Sequence, residues 1–478
     1  MPQTQNLSER YERAEQTLKQ VGQDHLLTFY KDLGTAEREQ LLDQIEAQDW
    51  TLLSELVQTH VKRQPEAKLP ETIEPAPYYP AQPPKKLHAR YDQAREHGEQ
   101  LIAEGKVAAF VVAGGQGTRL GWEGPKGTFP ATPIEGKPLF CVFAEYLLKV
   151  ERKYGRAVPW YVMTSPVNDA ATRAHFEENH FFGLDRGQVH FFPQGVVPSF
   201  DLDGRALLTE PGKLATNPDG HGGSLRALHT SGALQDMADR GIQHISYFQV
   251  DNPLVRCIDP LFIGLHAIDH AQMSSKMVVK AGPLERVGNF CLADGRVTVI
   301  EYSDLPDELA EQRNADGSLR FNAGSIAIHV IDVDFVRELN RGRFGLPFHR
   351  AVKKVPHVDL ATGNRVEPTE PNAVKLETFV FDALPLCERS IVLETLRQDE
   401  FAPIKNAEGD DSPATSKQLQ SERAARWLDA VGVTVPRDQQ GNVEAVIEIS
   451  PLTAIEAKDL HDGIELPRRI ERGSQVSL

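Results

Sequence analysis

Apolar residues at Leu7, Tyr11, Ala14, Leu18 and Val21 advance in steps of 4, 3, 4 and 3, which places them on one face of a helix. Leu41, Leu42 and Ile45, then Leu52, Leu53, Leu56 and Val57, carry a helical pattern through the first sixty residues. It stops between Pro65 and Pro84, where seven of twenty residues are proline, a density that no helix tolerates. An extended strap is expected there, and its Tyr78 and Tyr79 imply packing against a surface. From residue 96 to 395 apolar strands alternate with amphipathic helices. Val107–Ala113, Trp160–Thr164 and Ile245–Val250 read as strands covered on both faces, and Phe140–Tyr154 and Ala170–Asn179 as helices. Such alternation predicts βαβ units and an open α/β sheet with helices on both faces. The remaining residues are more polar, with a loop-like stretch from Asn406 to Pro413 and a short β pattern from Val443 to Ile449. The expected division is a helical N-terminal region with its strap (1–95), an α/β domain (96–395) and a small C-terminal domain (396–478).

Composition narrows the function classes. The 478 residues are 40% hydrophobic and 25% charged, ordinary values for a globular protein. The longest apolar run, Val107 to Ala113, is seven residues, against about 20 needed to span a bilayer. The N-terminus carries Glu9, Arg10, Glu12 and Arg13 and has no apolar signal core. The expectation is a cytoplasmic protein that engages no membrane. Four cysteines, none in Cys-x-x-Cys spacing, point to reduced thiols and give no disulfide framework or zinc motif. The 52 Lys+Arg against 68 Asp+Glu leave a net charge of −16, which argues against nucleic acid as a partner. A small anion needs only a local cationic pocket.

Three clusters carry candidate chemistry. The first, Ala113-Gly-Gly-Gln-Gly-Thr-Arg-Leu-Gly121 followed by Pro125-Lys-Gly127, comes directly after the first buried strand. Gly114, Gly115 and Gly117 let backbone amides approach a ligand, and Arg119 and Lys126 add two cations. Leu120 stands where a dinucleotide fingerprint needs its third glycine, and no Walker A pattern is present. A phosphate site of another kind is expected. The second, Asn217-Pro-Asp-Gly-His-Gly-Gly223, is glycine-dense beyond the needs of a turn, which suggests close approach of a flat ligand. The third, Val250-Asp-Asn252, puts Asp251 at the end of a buried strand, where open α/β sheets hold divalent metals. With no activated Ser or Cys in view, the combination points to direct nucleotidyl transfer, in which a substrate phosphate oxygen attacks an α-phosphorus and the protein positions and neutralises.

At these residues the sequence resembles the eukaryotic-type UDP-N-acetylhexosamine pyrophosphorylases, within the UTP–sugar-1-phosphate uridylyltransferases. The resemblance runs through residues 113–121, 125–127, Phe191-Phe-Pro-Gln-Gly195, 218–223, 250–252, Val287-Gly288, Glu301-Tyr-Ser303, Phe321-Asn-Ala-Gly324, Glu377–Asp382 and Lys405-Asn-Ala407. It implies a Rossmann-like nucleotidyltransferase (GT-A-like) mixed sheet and transfer of uridylyl from UTP to a hexose 1-phosphate, N-acetylglucosamine 1-phosphate foremost. It implies that Ala113, Gly114, Gly115, Gly117, Gln194, Gly220 and Lys375 contact the nucleotide. Arg119, Lys126 and Lys405 would act on the phosphates, and Asp251 would hold Mg²⁺, with Mn²⁺ as the alternative. His221, Gly288, Glu301 and Asn322 would line the sugar pocket, in a monomer or homodimer. His221 and Ser325 depart from the N-acetylhexosamine pattern, where asparagines stand. That leaves a UDP-glucose or broad-specificity pyrophosphorylase as the nearest alternative reading, and an inactive UDP-sugar-binding protein as one of another class.

Overall fold

The computed structural model describes residues 7–64, 70–461 and 463–478. It divides the chain into two compact units: residues 1–69, 195–223 and 346–380 in one, and residues 70–194, 224–345 and 381–478 in the other. This partition cuts the chain differently from the divisions expected at 95 and 395. The N-terminal helices share a unit with two later excursions of the chain, and the strap from Pro70 onward belongs with the large sheet.

The larger unit is built on a ten-stranded mixed sheet. Its strands are β1 (Ile73–Pro75), β2 (Val107–Val112), β3 (Trp160–Thr164), β4 (Val189–Pro193), β5 (His244–Gln249), β6 (Met273–Val279), β7 (Asn289–Ala293), β8 (Arg296–Ile300), β9 (Ala323–Asp332) and β10 (Ser390–Glu394). The order β5-β2-β3-β4 is wholly parallel, and β9 runs antiparallel between β5 and β6. Residues of β2 and β3 are almost entirely buried, which is why both read as unbroken apolar runs. The helix Leu139–Tyr154 supplies Phe140, Phe143 and Leu147 to the same core as Val107, Ala109 and Val111 of β2.

The strap packs as its tyrosines imply. The Tyr79 amide donates to Val392 O at 2.8 Å, its carbonyl accepts from Glu394 N, and its hydroxyl donates to Asp269 at 2.7 Å. Residues 65–69 at its start lie outside the described residues. Within the C-terminal stretch, the helix Pro413–Ala430 and the short strand Val446–Glu448 form a hydrophobic cluster of their own around Ala425, Leu428 and Ile447.

The smaller unit gathers Leu18, Leu41, Leu42, Leu53 and Leu56 from its helices Leu7–Gln20, Thr35–Glu46 and Trp50–Leu56 around Phe200, Val374 and Leu376. Its three-stranded sheet has Ala373–Glu377 in the middle. Among the described residues no helix is long and apolar enough to cross a membrane.

Candidate active site

In the larger unit the expected residues converge where the parallel strands end. Gly114 follows β2, Gln194 follows β4 and Asp251 follows β5, all at C-terminal strand ends, the ligand-binding edge of an open α/β sheet. The Gln194 carboxamide lies so close to Gly114 that a Cβ there would stand 3.0 Å from its Cδ, Nε2 and Oε1. A side chain at 114 would press on that amide plane and displace it by a few tenths of an ångström. A Cβ on Gly115 would meet nothing within 4 Å, so that glycine faces open space.

The loop after β2 closes on itself. Lys126 N donates to Gly115 O and Gly117 N to Gly124 O, both at 3.0 Å. Buried Asn168, four residues beyond β3, donates from Nδ2 to Ala113 O at 3.0 Å and to Gly115 O at 3.3 Å, clamping the loop from the neighbouring strand. Gly127 has no room for a side chain because the Phe140 ring occupies the place of its Cβ. That contact fixes where Lys126 starts. Lys126 Nζ donates to Ile404 O at 3.3 Å, and Arg119 is exposed with no hydrogen bond or ion pair to the described residues.

Asp251 is tied to the same segment through its backbone, its carbonyl accepting from Ile404 N at 2.8 Å. Its carboxylate takes no hydrogen bond from the described residues. It borders a cavity of about 80 Å³ lined also by Ser325, Ala327, Phe401 and Lys405. Lys405 lies with Nζ 5.5 Å from the Phe401 ring centre and 3.6 Å from Asp411. An unpaired carboxylate beside a small cavity and a cation suits Mg²⁺, which needs one protein carboxylate when substrate phosphates and water supply the remaining oxygens. Ala327, on the wall of that cavity, has φ +54°. It sits in a bulge where four steps along β9, from Ser325 to His329, span two along β6, from Ser275 to Met277. Bulges re-aim side chains next to active sites.

Beyond β6, Ser325 N donates to Gly288 O at 2.8 Å. A Cβ on Gly288 would collide with Val299 and stand 3.4 Å from Glu301 Oε1 and 3.7 Å from Ser325 Cβ. Gly288, Glu301 and Ser325 therefore share one small space. Asn322 Nδ2 donates to the strap hydroxyl of Tyr78 at 3.4 Å. A cleft of about 640 Å³ runs alongside, bounded by Glu285, Arg286, Arg397, Lys405 and Asn406.

Gly220, His221 and Lys375 belong to the smaller unit. Gly220 has φ +84°, and a Cβ there would strike Thr378 O. Gly222 is pressed against the backbone of Thr378 and Phe379, and Gly223 against the Asp219 carboxylate. The glycine density that suggested a flat ligand is accounted for by packing within the chain. His221 stacks on Phe379, centroids 5.3 Å apart, and its Nδ1 accepts from Val380 N at 3.1 Å. Burial, reinforced by nearby His349, pushes its pKa down from 6.5 to about 4. Burial also lowers the Lys375 ammonium, with Glu377 acting against it.

The sequence reading missed the residues that hold this arrangement. Lys276, 1% exposed, bonds Glu400 Oε1 at 2.6 Å and Asp259 Oδ2 at 2.7 Å. Asn252 donates to Glu400 O at 2.7 Å and accepts from Ala402 N at 3.1 Å. A lysine inside the otherwise uncharged strand Met273–Val279 is the signal that could have found the cluster. For Asn168, the rule about residues following strands, applied to β3, would have sufficed.

A model of the UTP–glucose-1-phosphate uridylyltransferase family matches residues 54–422. The UDP-N-acetylhexosamine pyrophosphorylase-like protein 1 of Xenopus tropicalis is 38% identical, over 93% of this chain and 91% of that protein. The UDP-N-acetylglucosamine pyrophosphorylase of Saccharomyces cerevisiae is 40% identical, over 71% of this chain and 73% of that one. Among solved structures, the UDP-N-acetylglucosamine pyrophosphorylase of Trypanosoma brucei superposes with a TM-score of 0.81 at 28% identity, covering 98% of each chain. A UDP-glucose pyrophosphorylase of Leishmania major, at 14% identity and a TM-score of 0.61 over 93% of this chain and 95% of that one, shares the fold. The chain belongs to the UTP–glucose-1-phosphate uridylyltransferase family.

Proposed function

We infer that the protein is a UDP-N-acetylglucosamine diphosphorylase: it converts UTP and N-acetylglucosamine 1-phosphate to UDP-N-acetylglucosamine and pyrophosphate. The observation that carries this reading is the convergence of the glycine loop, Gln194, the Asp251 carboxylate, Lys126 and Lys405 at one edge of the parallel sheet. In the reaction a phosphate oxygen of the sugar 1-phosphate forms a bond to the UTP α-phosphorus. The bond from that phosphorus to the bridging oxygen breaks, and pyrophosphate leaves with the electron pair.

Each residue type suits its part. The Gln194 carboxamide offers both donor and acceptor to a uracil edge. Arg119 and Lys126 neutralise the departing pyrophosphate, and Lys405 neutralises the phosphates of the attacking substrate and the product. Asp251 is assigned to Mg²⁺, which when bound supplies charge neutralisation at the phosphates. Gly288, Glu301 and Asn322 receive the sugar, Glu301 accepting from hydroxyls. His221, held neutral with Nδ1 occupied as an acceptor, hydrogen-bonds and is no proton shuttle. The reading places the enzyme in the cytoplasm, as a monomer or homodimer.

Pyrophosphate release measured with UTP and a panel of hexose 1-phosphates tests the assignment. N-acetylglucosamine 1-phosphate should exceed glucose 1-phosphate in kcat/KM by about tenfold or more, a difference of ~1.4 kcal/mol. A preference for glucose 1-phosphate would move the enzyme to the UDP-glucose branch, and UTP binding without any release would leave a binding protein. Lys126→Ala should lower kcat by about 10²-fold or more, the scale for losing a preorganised transition-state contact; turnover like that of the unmodified enzyme contradicts its role. Because the folded His221 ring takes up a proton only near pH 4, kcat/KM should show no inflection from it between pH 6 and 8. His221→Asn should keep the shape of that profile, and an inflection near 6.5 that the variant abolishes would refute the neutral assignment. The unfolded chain protonates this ring below 6.5, so its contribution to stability is full above that pH and is lost as pH falls toward 4.

A further inference from the structure

Asp251 sits after the C-terminal end of β5, and a second cluster of candidate metal-ligating side chains sits at the other end of that strand. β5 opens at His244, which pairs in register with Asp332 at the close of β9. Five residue steps separate His244 from Gln249, about 17 Å along a strand, so this cluster is separate from the Asp251 cavity. His244 Nδ1 lies 2.7 Å from Asp332 Oδ1, and His266 Nε2, from the helix Pro260–Ile268, lies 2.9 Å from the same oxygen. The two imidazole centroids are 5.1 Å apart with planes at 88°. One ligand atom from each residue falls within 4.8 Å of the others, and among the described residues this is the group of three or more such side chains that does so.

Burial and orientation favour coordination at this place. The His266 side chain is fully buried and that of His244 is 11% exposed, whereas Asp332 is 32% exposed and gives an ion a way in. The remaining ring nitrogen of His266, Nδ1, lies 2.7 Å from Oγ of the buried Ser274. When Nδ1–H donates to that hydroxyl, the Nε2 lone pair points toward Asp332, the outer-shell arrangement that fixes the tautomer of metal-ligating histidines. Two imidazoles and one carboxylate suit Zn²⁺ better than Mg²⁺, which prefers all-oxygen octahedra. Tetrahedral Zn²⁺ with bonds of about 2.0–2.1 Å sets its ligand atoms ~3.3 Å apart. Two of the three edges, 2.7 and 2.9 Å, need to open by about half an ångström, and the third lies within 4.8 Å.

We propose that His244, His266 and Asp332 form a Zn²⁺ site, with the fourth position left to water, at the sheet end away from the catalytic cavity. The ion would join the start of β5, the end of β9 and the helix Pro260–Ile268. Its residues take no part in the uridylyl transfer proposed above, so the two readings stand or fall separately.

The test uses the full chain carrying Asp251→Asn, which removes the other metal-binding carboxylate, freed of metal by chelation and dialysis. Calorimetric titration with ZnCl₂ should give one equivalent bound, and saturating Zn²⁺ should raise Tm by a few °C. CoCl₂ in place of zinc should give the intense visible bands of tetrahedral cobalt. Asp332→Asn and the milder, partly exposed His244→Asn, each confirmed as folded by circular dichroism, should lose the equivalent, the Tm rise and the bands. No zinc uptake in the Asp251→Asn protein, or uptake that survives in both further variants, overturns the proposal and leaves a hydrogen-bonded triad.

Discussion

A buried lysine ammonium and two buried carboxylates hold together the edge of the sheet at which the candidate site lies. Lys276 has 1% of its side chain exposed, Asp259 7% and Glu400 none. Burial alone would raise the Asp259 carboxyl, but the charges of Lys276 and Arg256 hold it well below the usual carboxylate range. Taking such ions out of water costs several kcal/mol each, and removing one partner strands the rest, at about 3–5 kcal/mol. The cluster is satisfied on every side. Thr395 Oγ1 and Arg256 N donate to Glu400, while Asp259 caps the helix Pro260–Ile268 through Leu261 N. A buried cluster of this kind is poor evidence of stability but a strong constraint on geometry, and the geometry it fixes is the path of residues 400–405.

That path links the chemistry. Glu400 O receives the Asn252 amide, Ala402 N returns to Asn252 Oδ1, Ile404 N bonds Asp251 O, and Ile404 O receives Lys126 Nζ. The Asp251 backbone, the glycine-loop Lys126 and Lys405 are thereby set by one short segment anchored on one buried ion cluster. The glycine loop is held from the other side by Asn168 and by Phe140 beneath Gly127. Preorganisation of this kind is what a transfer reaction without a protein nucleophile requires, because positioning and charge carry nearly all of its catalysis. The net charge of −16 is thus compatible with a triphosphate substrate: few cations are needed, and Lys126 is held by the same segment that carries Lys405.

Strands buried on both faces were legible from sequence because burial removes polar residues from them: Val107–Val112 and Trp160–Thr164 lie where the apolar runs place them. The candidate residues of the glycine loop and Asp251 were legible because ligands of open α/β sheets gather at strand ends, and Gln194 was named only through the resemblance to the pyrophosphorylases. Partnerships over long sequence separation were not. Nothing local couples Lys276 to Glu400, 124 positions away, or sends residues 195–223 and 346–380 to the N-terminal helices. The glycines at 220, 222 and 223 were legible as a constraint but not as its cause, since a ligand and the Thr378–Phe379 backbone impose the same demand for a missing Cβ.

The claim that Glu400 acts on catalysis through the segment bearing Lys405 is tested most directly by a double-mutant cycle in kcat/KM for pyrophosphate release. Glu400→Gln and Lys405→Ala are measured singly and together, with folding of each variant checked. If the buried cluster works by placing Lys405, each single change lowers kcat/KM and the double variant loses far less than the product of the two, a coupling of about 0.5–3 kcal/mol. Losses that multiply, or a Glu400→Gln enzyme with undiminished kcat/KM, would contradict the account.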